Sequence, residues 1–95
     1  MESEKTIKNL LKLGLTEYEA RIYVILLKNC YMTMKDLSEL SKVPYQRVYD
    51  VVKMLESKGL VKVIYRRPRK VKLIDPKIAL PTYRDSIVNK DRFMY

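Results

Sequence analysis

The chain has 95 residues, 47% hydrophobic and 33% charged, and its 20 Lys and Arg against 11 Asp and Glu give a net charge of +9. That length builds one small domain around a single core, leaves little room for an active-site cleft, and carries enough apolar residues to fold rather than stay disordered. A single cysteine, Cys30, excludes an internal disulfide and the lack of histidine excludes a Cys/His zinc set, while MESEK is no signal peptide and Leu10 to Leu27 is too often interrupted by charge to span a membrane.

Ile7, Leu10 and Leu11 recur at helical spacing through Ser3 to Leu13, and Gly14 supplies the left-handed residue that ends such a helix. Thr16 followed three residues later by Glu19 is a capping box, in which hydroxyl and carboxylate each satisfy a backbone N–H that a helix start leaves unpaired. It predicts a second helix from about Glu17 to Lys28, whose face of Tyr18, Ile22 and Leu26, with Tyr23 and Leu27, is wide enough for the centre of a core. A turn at Asn29-Cys-Tyr-Met32 leads to Thr33 and Asp36, a second box, which starts a short helix that turns Met34, Leu37 and Leu40 inward and ends near Ser41. Only Lys42 and Val43 precede Pro44, whose fixed φ suits the first turn of a helix, so a tight turn joins two helices.

The helix from Pro44 to Ser57 sets Val48, Val51, Val52 and Leu55 along one stripe and stops at Lys58-Gly59. At 100° per residue Gln46, Asp50 and Lys53 point away from that stripe, with Tyr45 and Tyr49 on one flank and Arg47 on the other. Leu60 to Tyr65 and Lys70 to Ile74 alternate apolar residues with lysines and predict two strands, joined by the basic loop Arg66-Arg-Pro-Arg69 with Pro68 at its tip, where no ladder donor is needed. A last helical segment starts at Asp75-Pro76, presents Leu80, Tyr83, Ile87, Lys90 and Met94, and is expected to break or restart at Pro81.

Charge is divided unevenly along these elements. Residues 1–41 hold six basic and six acidic side chains, whereas residues 42–95 hold fourteen basic and five acidic ones and so carry the whole excess. Such an asymmetry marks a surface that meets a polyanion.

Two helices joined by a short turn and followed by a basic hairpin form a winged helix-turn-helix, here an α+β fold, mostly α, with a C-terminal helical segment. In such domains the second helix enters the DNA major groove and the hairpin reaches a neighbouring groove or backbone. Base edges need hydrogen-bonding side chains, for which Gln46 and Arg47 are placed, and phosphates need hydroxyls and cations. Tyr45 and Tyr49 supply the hydroxyls, Tyr49 with its ring half in the core, and Lys42, Lys53, Arg66, Arg67, Arg69 and Lys70 supply the cations. Asp50, which phosphate would repel, is expected to pair with Lys53 or Arg47 rather than to accept from a cytosine. No histidine, no glycine-rich phosphate loop and no paired carboxylates are available for catalysis, so neither enzymatic activity nor a cofactor or metal is expected.

The segments Leu10-Leu-Lys-Leu-Gly-Leu-Thr-Glu-Tyr-Glu-Ala20, Leu37 to Pro44 and Val48 to Val61 resemble the DNA-binding domain of the TrmB-like transcriptional regulators, which are chiefly archaeal. The LGLTEYEA opening is specific to that family, while VxxxLExKGLV is shared with MarR and ArsR regulators. The resemblance covers about residues 7 to 80 and implies a sequence-specific DNA-binding domain, with Pro44 to Lys53 as recognition helix and Arg66 to Lys70 as wing. Many members continue into a sugar-sensing effector domain and a long dimerising helix. This chain stops at Tyr95, so no small-molecule effector domain is expected in it, and Pro81 is expected to leave the helix after the wing short. Other members are a DNA-binding part alone or chromatin-like proteins.

The expected organisation is therefore a winged helix-turn-helix domain over residues 1–80 and a short dimerisation segment over residues 81–95. Leu80, Tyr83, Ile87 and Met94 would pack either on their own domain, near Ile7 and Leu11, or against a second copy, and the second is favoured because a small domain gains stability from a partner. The expected protein is a cytoplasmic, nucleoid-associated homodimer that binds double-stranded DNA and no membrane. Competing readings are a chromatin protein without sequence preference, a binder of single strands, for which Tyr65 alone offers a stacking ring on the wing, and an adaptor for acidic proteins.

Overall fold

The computed structural model describes the backbone of residues 2–92 and the side chains of residues 4–85. Five helices surround a small sheet, in the order α1 (Glu2–Lys12), α2 (Glu17–Asn29), β1 (Tyr31–Thr33), α3 (Met34–Ser41), α4 (Tyr45–Ser57), β2 (Val61–Ile64), β3 (Lys70–Leu73) and α5 (Pro76–Arg92). None of the described helices is long and apolar enough to cross a membrane.

The capping box expected at α2 is complete. Glu19 N–H donates to Thr16 Oγ1 at 3.2 Å, and Thr16 N–H donates back to Glu19 Oε1 at 2.9 Å. At α3, Thr33 Oγ1 accepts from Asp36 N–H at 3.1 Å. Gly14, at φ 97°, ends the run from α1 in the left-handed region, where a Cβ would be strained. Ile22, Tyr23 and Leu26 of α2 are fully buried, with Ala20 and Val24 beside them, while Tyr18 and Leu27 border the core. Against α2 pack Met34 and Leu37 of α3 and the stripe Val48, Val51, Val52 and Leu55 of α4.

The tight turn between α3 and α4 is tied by its own hydroxyls. Ser38 Oγ donates to Val43 O at 2.7 Å, Ser41 Oγ donates to Leu37 O, and Val43 N–H donates to Ser41 Oγ at 3.3 Å. These bonds hold Lys42 in the left-handed region at φ 60° and drop Val43 into the core.

The sheet has three strands rather than the two-stranded hairpin expected. Residues 31–33, of which Tyr31 and Met32 were read from the sequence as turn and Thr33 as a helix cap, pair antiparallel with β3, giving the order β1-β3-β2. In the register Met32↔Val71 and Val63↔Val71, all three side chains face the core. The alternate residues face out and bring Lys62 directly opposite Lys72. A strand as short as β1 carries no periodic signal, and it exists because β3 offers it a ladder.

Two further expectations fail. Leu40, expected inward, is 55% exposed, because α3 is a single short helix whose inward face is filled by Met34 and Leu37. Pro81 does not break the last helix, since α5 runs from Pro76 to Arg92 through it. Asp75 starts that helix by accepting from Lys77 N–H at 3.0 Å, and Ala79, Leu80 and Tyr83 anchor it on the core. Proline therefore removes one backbone bond from an element that packing already holds. Leu80 and Tyr83 pack on their own domain; the side chain of Ile87 and the whole of Met94 lie outside the described residues.

Among the described residues, one ion pair joins elements distant in sequence. Lys58 Nζ lies 2.9 and 2.7 Å from the two oxygens of Glu19, a carboxylate only 2% exposed. Lys58 is the C-cap of α4, so the pair ties the end of α4 to the start of α2. Lys58→Met leaves that carboxylate buried without its cation and is expected to cost about 3 kcal/mol, measured by urea unfolding, with part of the loss recovered in Glu19→Gln/Lys58→Met.

Tyr23 contributes in the opposite sense. Its ring is fully buried, its hydroxyl has no hydrogen-bond partner among the described residues, and burial pushes its pKa up to about 12. Below pH 10 both folded and unfolded chains keep the phenol proton. Between pH 10 and 12 the unfolded chain releases it while the folded chain does not, so stability falls over that window. Tyr23→Phe is expected to raise stability at pH 7 by about 1 kcal/mol and to flatten the alkaline decline, read from denaturant unfolding between pH 7 and 11.

Candidate nucleic-acid interface

Because α4 buries its valine stripe, its other face is presented to solvent. Tyr45, Gln46, Arg47, Tyr49, Asp50 and Lys53 are all exposed, Tyr49 only to 37%, which fits a ring half in the core. Pro44 stands at the N-cap and gives no side-chain bond, and the first turn of α4 holds no acid; the Arg47 N–H donates to Pro44 O at 2.8 Å, and no side chain caps this positive end of the helix.

The wing folds back beside this end. A groove of ≈ 490 Å³ is lined by Thr33 and Lys35 at the start of α3, by Tyr45 and Tyr49, and by Arg67, Pro68 and Arg69. Of the side chains named from the sequence, Tyr45, Tyr49, Arg67 and Arg69 are thus brought together. Arg66 is exposed in the loop, Lys42 and Pro44 are exposed at the turn before α4, and Lys70 lies over the ring of Tyr31 at 5.0 Å. Thr33, Lys35 and Tyr31 were not anticipated; the sequence signal for the first two was the box that starts α3, a helix end that faces the wing only once the chain is folded.

Lys53 is placed differently from expectation. Its Nζ donates to Tyr65 Oη at 3.0 Å and lies 3.8 Å from Glu56 Oε1, while Tyr65 Oη donates to Glu56 Oε1 at 3.4 Å. The hydrogen bond to Tyr65, with the Glu56 carboxylate nearby, holds the Lys53 ammonium above its usual pKa. Glu56 Oε2 also accepts from the Val63 N–H of edge strand β2 at 3.0 Å. Arg69 lies 5.4 Å from the centre of the Tyr49 ring and 6.0 Å from that of Tyr65. Two tyrosines, two cations and one carboxylate therefore clamp the wing to α4, with Tyr65 supplied by the wing and Tyr49 by the helix.

Asp50 pairs with neither Arg47 nor Lys53 among the described residues. Lys53 is drawn toward the wing, and Arg47 leans the other way, 5.9 Å from the centre of the Tyr18 ring on α2. No group of three or more acidic, histidine or cysteine side chains able to hold a metal occurs among the described residues.

Residues 10–77 match the sugar-specific transcriptional regulator TrmB family. The chain belongs to that family. This TrmB-family domain is 34% identical over 89 residues to the HTH-type sugar sensing transcriptional regulator TrmBL1 of Pyrococcus furiosus, covering 94% of the chain and 26% of that protein. It is 37% identical over 59 residues to the putative HTH-type transcriptional regulator TrmBL2 of the same organism, covering 62% of the chain and 22% of that protein. Among solved structures, TrmBL2, described as an archaeal chromatin protein with a novel mode of DNA binding, superimposes with a TM-score of 0.88 at 28% identity over 97% of the chain and 36% of its own. The MarR-family regulator SPO1453 of Silicibacter pomeroyi gives a TM-score of 0.65 at 28% identity over 95% of the chain and 63% of its own. The domain thus spans about a quarter of the length of its curated relatives, and its fold is the winged helix-turn-helix of a transcriptional regulator.

Glu56→Ala in this TrmB-family domain removes the acceptor of the Val63 N–H and the anchor of Lys53 and Tyr65. It is expected to cost about 1–2 kcal/mol and to speed hydrogen exchange at the Val63 amide, whereas an unchanged Val63 rate would mean that the strand ladder alone holds the wing.

Proposed function

We propose that this domain binds double-stranded DNA as part of a dimeric transcriptional regulator, with α4 in the major groove and the wing on the adjacent backbone or minor groove. The observation that carries the reading is the groove between α3, α4 and the wing. A major groove about 12 Å wide admits one helix, and the helix entering it must have groups beside it that meet phosphate. Lys35, Lys42, Arg66, Arg67, Arg69 and Lys70 surround the start of α4, Tyr45 and Tyr49 add hydroxyls, and Gln46 faces fully outward for a base edge. Lys53 serves by holding the wing against α4 and stays within reach of the backbone.

In this reading residues 1–80 form the DNA-binding unit and residues 81–95 belong to an association segment. Ile78, 65% exposed on α5, is the apolar side chain that a second copy would cover. Leu80 and Tyr83 then serve by fixing α5 on the core. Two such copies would set their recognition helices about 34 Å apart, in successive major grooves of one face of a duplex. The protein acts in the cytoplasm, at the nucleoid.

A second reading, an architectural protein that coats DNA without sequence preference, is favoured by the likeness to TrmBL2, described as a chromatin protein. The two part on specificity. A regulator should prefer its selected site over random duplex by about 10³ or more, an architectural protein by a factor near one.

With six cations on phosphate, log K for a duplex is expected to fall with log salt at a slope of about −5 per subunit. Arg67→Ala/Arg69→Ala is expected to weaken all duplexes alike and to reduce that slope by about 2, while Gln46→Ala changes the preference between sequences and leaves the slope alone. Fluorescence anisotropy at several salt concentrations reads both, and a slope near zero contradicts the electrostatic footprint.

A further inference from the structure

Tyr18 and Arg47 make a contact on the side of α4 that faces away from the wing. We propose that Tyr18 is a positioning residue that sets Arg47 to read guanine, an assignment that rests on the duplex binding proposed above. The Arg47 guanidinium lies over the Tyr18 ring, 5.9 Å from its centre. That ring is half-buried against the core and immediately precedes Glu19, whose carboxylate is held by both Thr16 and Lys58. It is therefore a fixed part of the frame rather than a mobile surface ring.

The other cation on the ring, Arg21 at 6.0 Å, is already bound to Glu17 at 2.9 Å, whereas Arg47 has no ion pair among the described residues. A guanidinium held near an aromatic ring by a cation–π contact forms no hydrogen bond there and keeps its donors, whose fork geometry matches the O6 and N7 acceptors of guanine in the major groove.

The surroundings favour a base edge over a phosphate. Arg47 and Tyr18 line a groove of ≈ 480 Å³ together with Glu17 and Asp50, both exposed. Glu17 is neutralised by Arg21, but Asp50, without a cation of its own among the described residues, repels a phosphate backbone and is an acceptor that fits the N4 amino group of a cytosine. The outward face of α4 is thus divided, with phosphate met on the wing side and guanine read on the α2 side.

The test selects bound duplexes from a random pool with the wild type, Tyr18→Phe, Tyr18→Leu and Arg47→Met. Wild type and Tyr18→Phe are expected to enrich the same guanine in each half-site. Tyr18→Leu, which keeps the apolar cover but loses the ring, and Arg47→Met, an exposed change that removes every donor to the base, should each lose the preference for that guanine by about tenfold or more, with the salt dependence of binding to unselected DNA unchanged in Tyr18→Leu. A motif in Tyr18→Leu or in Arg47→Met identical to that of the wild type overturns the assignment. So does a wild type that binds duplex with steep salt dependence yet enriches nothing, a result that leaves duplex binding standing. A wild type that retains no duplex at low salt overturns the proposed function and this assignment together.

Discussion

Glu19 is the point on which the arrangement of this domain depends. A carboxylate this deeply buried must have every acceptor site occupied, or the desolvation cost would shift or expel it. It meets that demand from two directions at once, taking the Thr16 N–H at the start of α2 and the Lys58 ammonium at the end of α4. The helix that presents Gln46 and Arg47 is therefore fixed at its far end to the helix that carries Tyr18. Tyr83 of α5 lies over the same Lys58, with its ring centre 6.0 Å from the ammonium, and a Cβ added at Gly14 would stand 3.5 Å from its hydroxyl. The second, fourth and fifth helices thus converge on one ion pair.

Because that frame is nearly neutral and internally paired, the excess cations fall outside it. Arg21 is bound to Glu17 and Lys58 to Glu19, whereas Arg66, Arg67 and Arg69 project from the wing and Lys42 from the helix-turn-helix turn. Of the cations on α4, Lys53 is committed to Tyr65 and Glu56, and Arg47 to a tyrosine ring. The overall charge of +9 is accordingly not one uniform field. It separates into cations that stabilise the fold, cations that brace the wing, and cations left at the rim of the groove beside α4.

Much of the fold was legible in the sequence because it is encoded locally. The Thr16–Glu19 box, the valine stripe of α4, the Lys42-Val-Pro44 turn and the alternating lysines of β2 and β3 each carry their signal within a few residues. What escaped is what depends on distant partners. Residues 31–33 become a strand only because β3 returns beside them, and Glu19, read as a cap, does its larger work through a lysine that helical periodicity marks merely as a helix end. Leu40 and Pro81 misled for the complementary reason: a propensity or spacing rule was applied where packing by Met34 and Leu37, or by Ala79, Leu80 and Tyr83, had already decided the outcome. At the site, the outward direction of Gln46, Arg47, Asp50 and Lys53 followed from helix geometry alone. Their partners did not, since Tyr18, Glu56 and Tyr65 lie on other turns or elements.

The central claim is that one face, built from the start of α3, the outward side of α4 and the wing, receives a duplex while the paired frame behind it does not. Titrating a short duplex into the 15N-labelled domain and following backbone amides tests it most directly. The expected result is that shifts concentrate at Thr33 to Lys35, Tyr45 to Lys53 and Arg66 to Lys70, with the amides of α1 and the outer row of Lys62 and Lys72 left in place. Largest shifts on α1 or across the Lys62–Lys72 face of the sheet would contradict it.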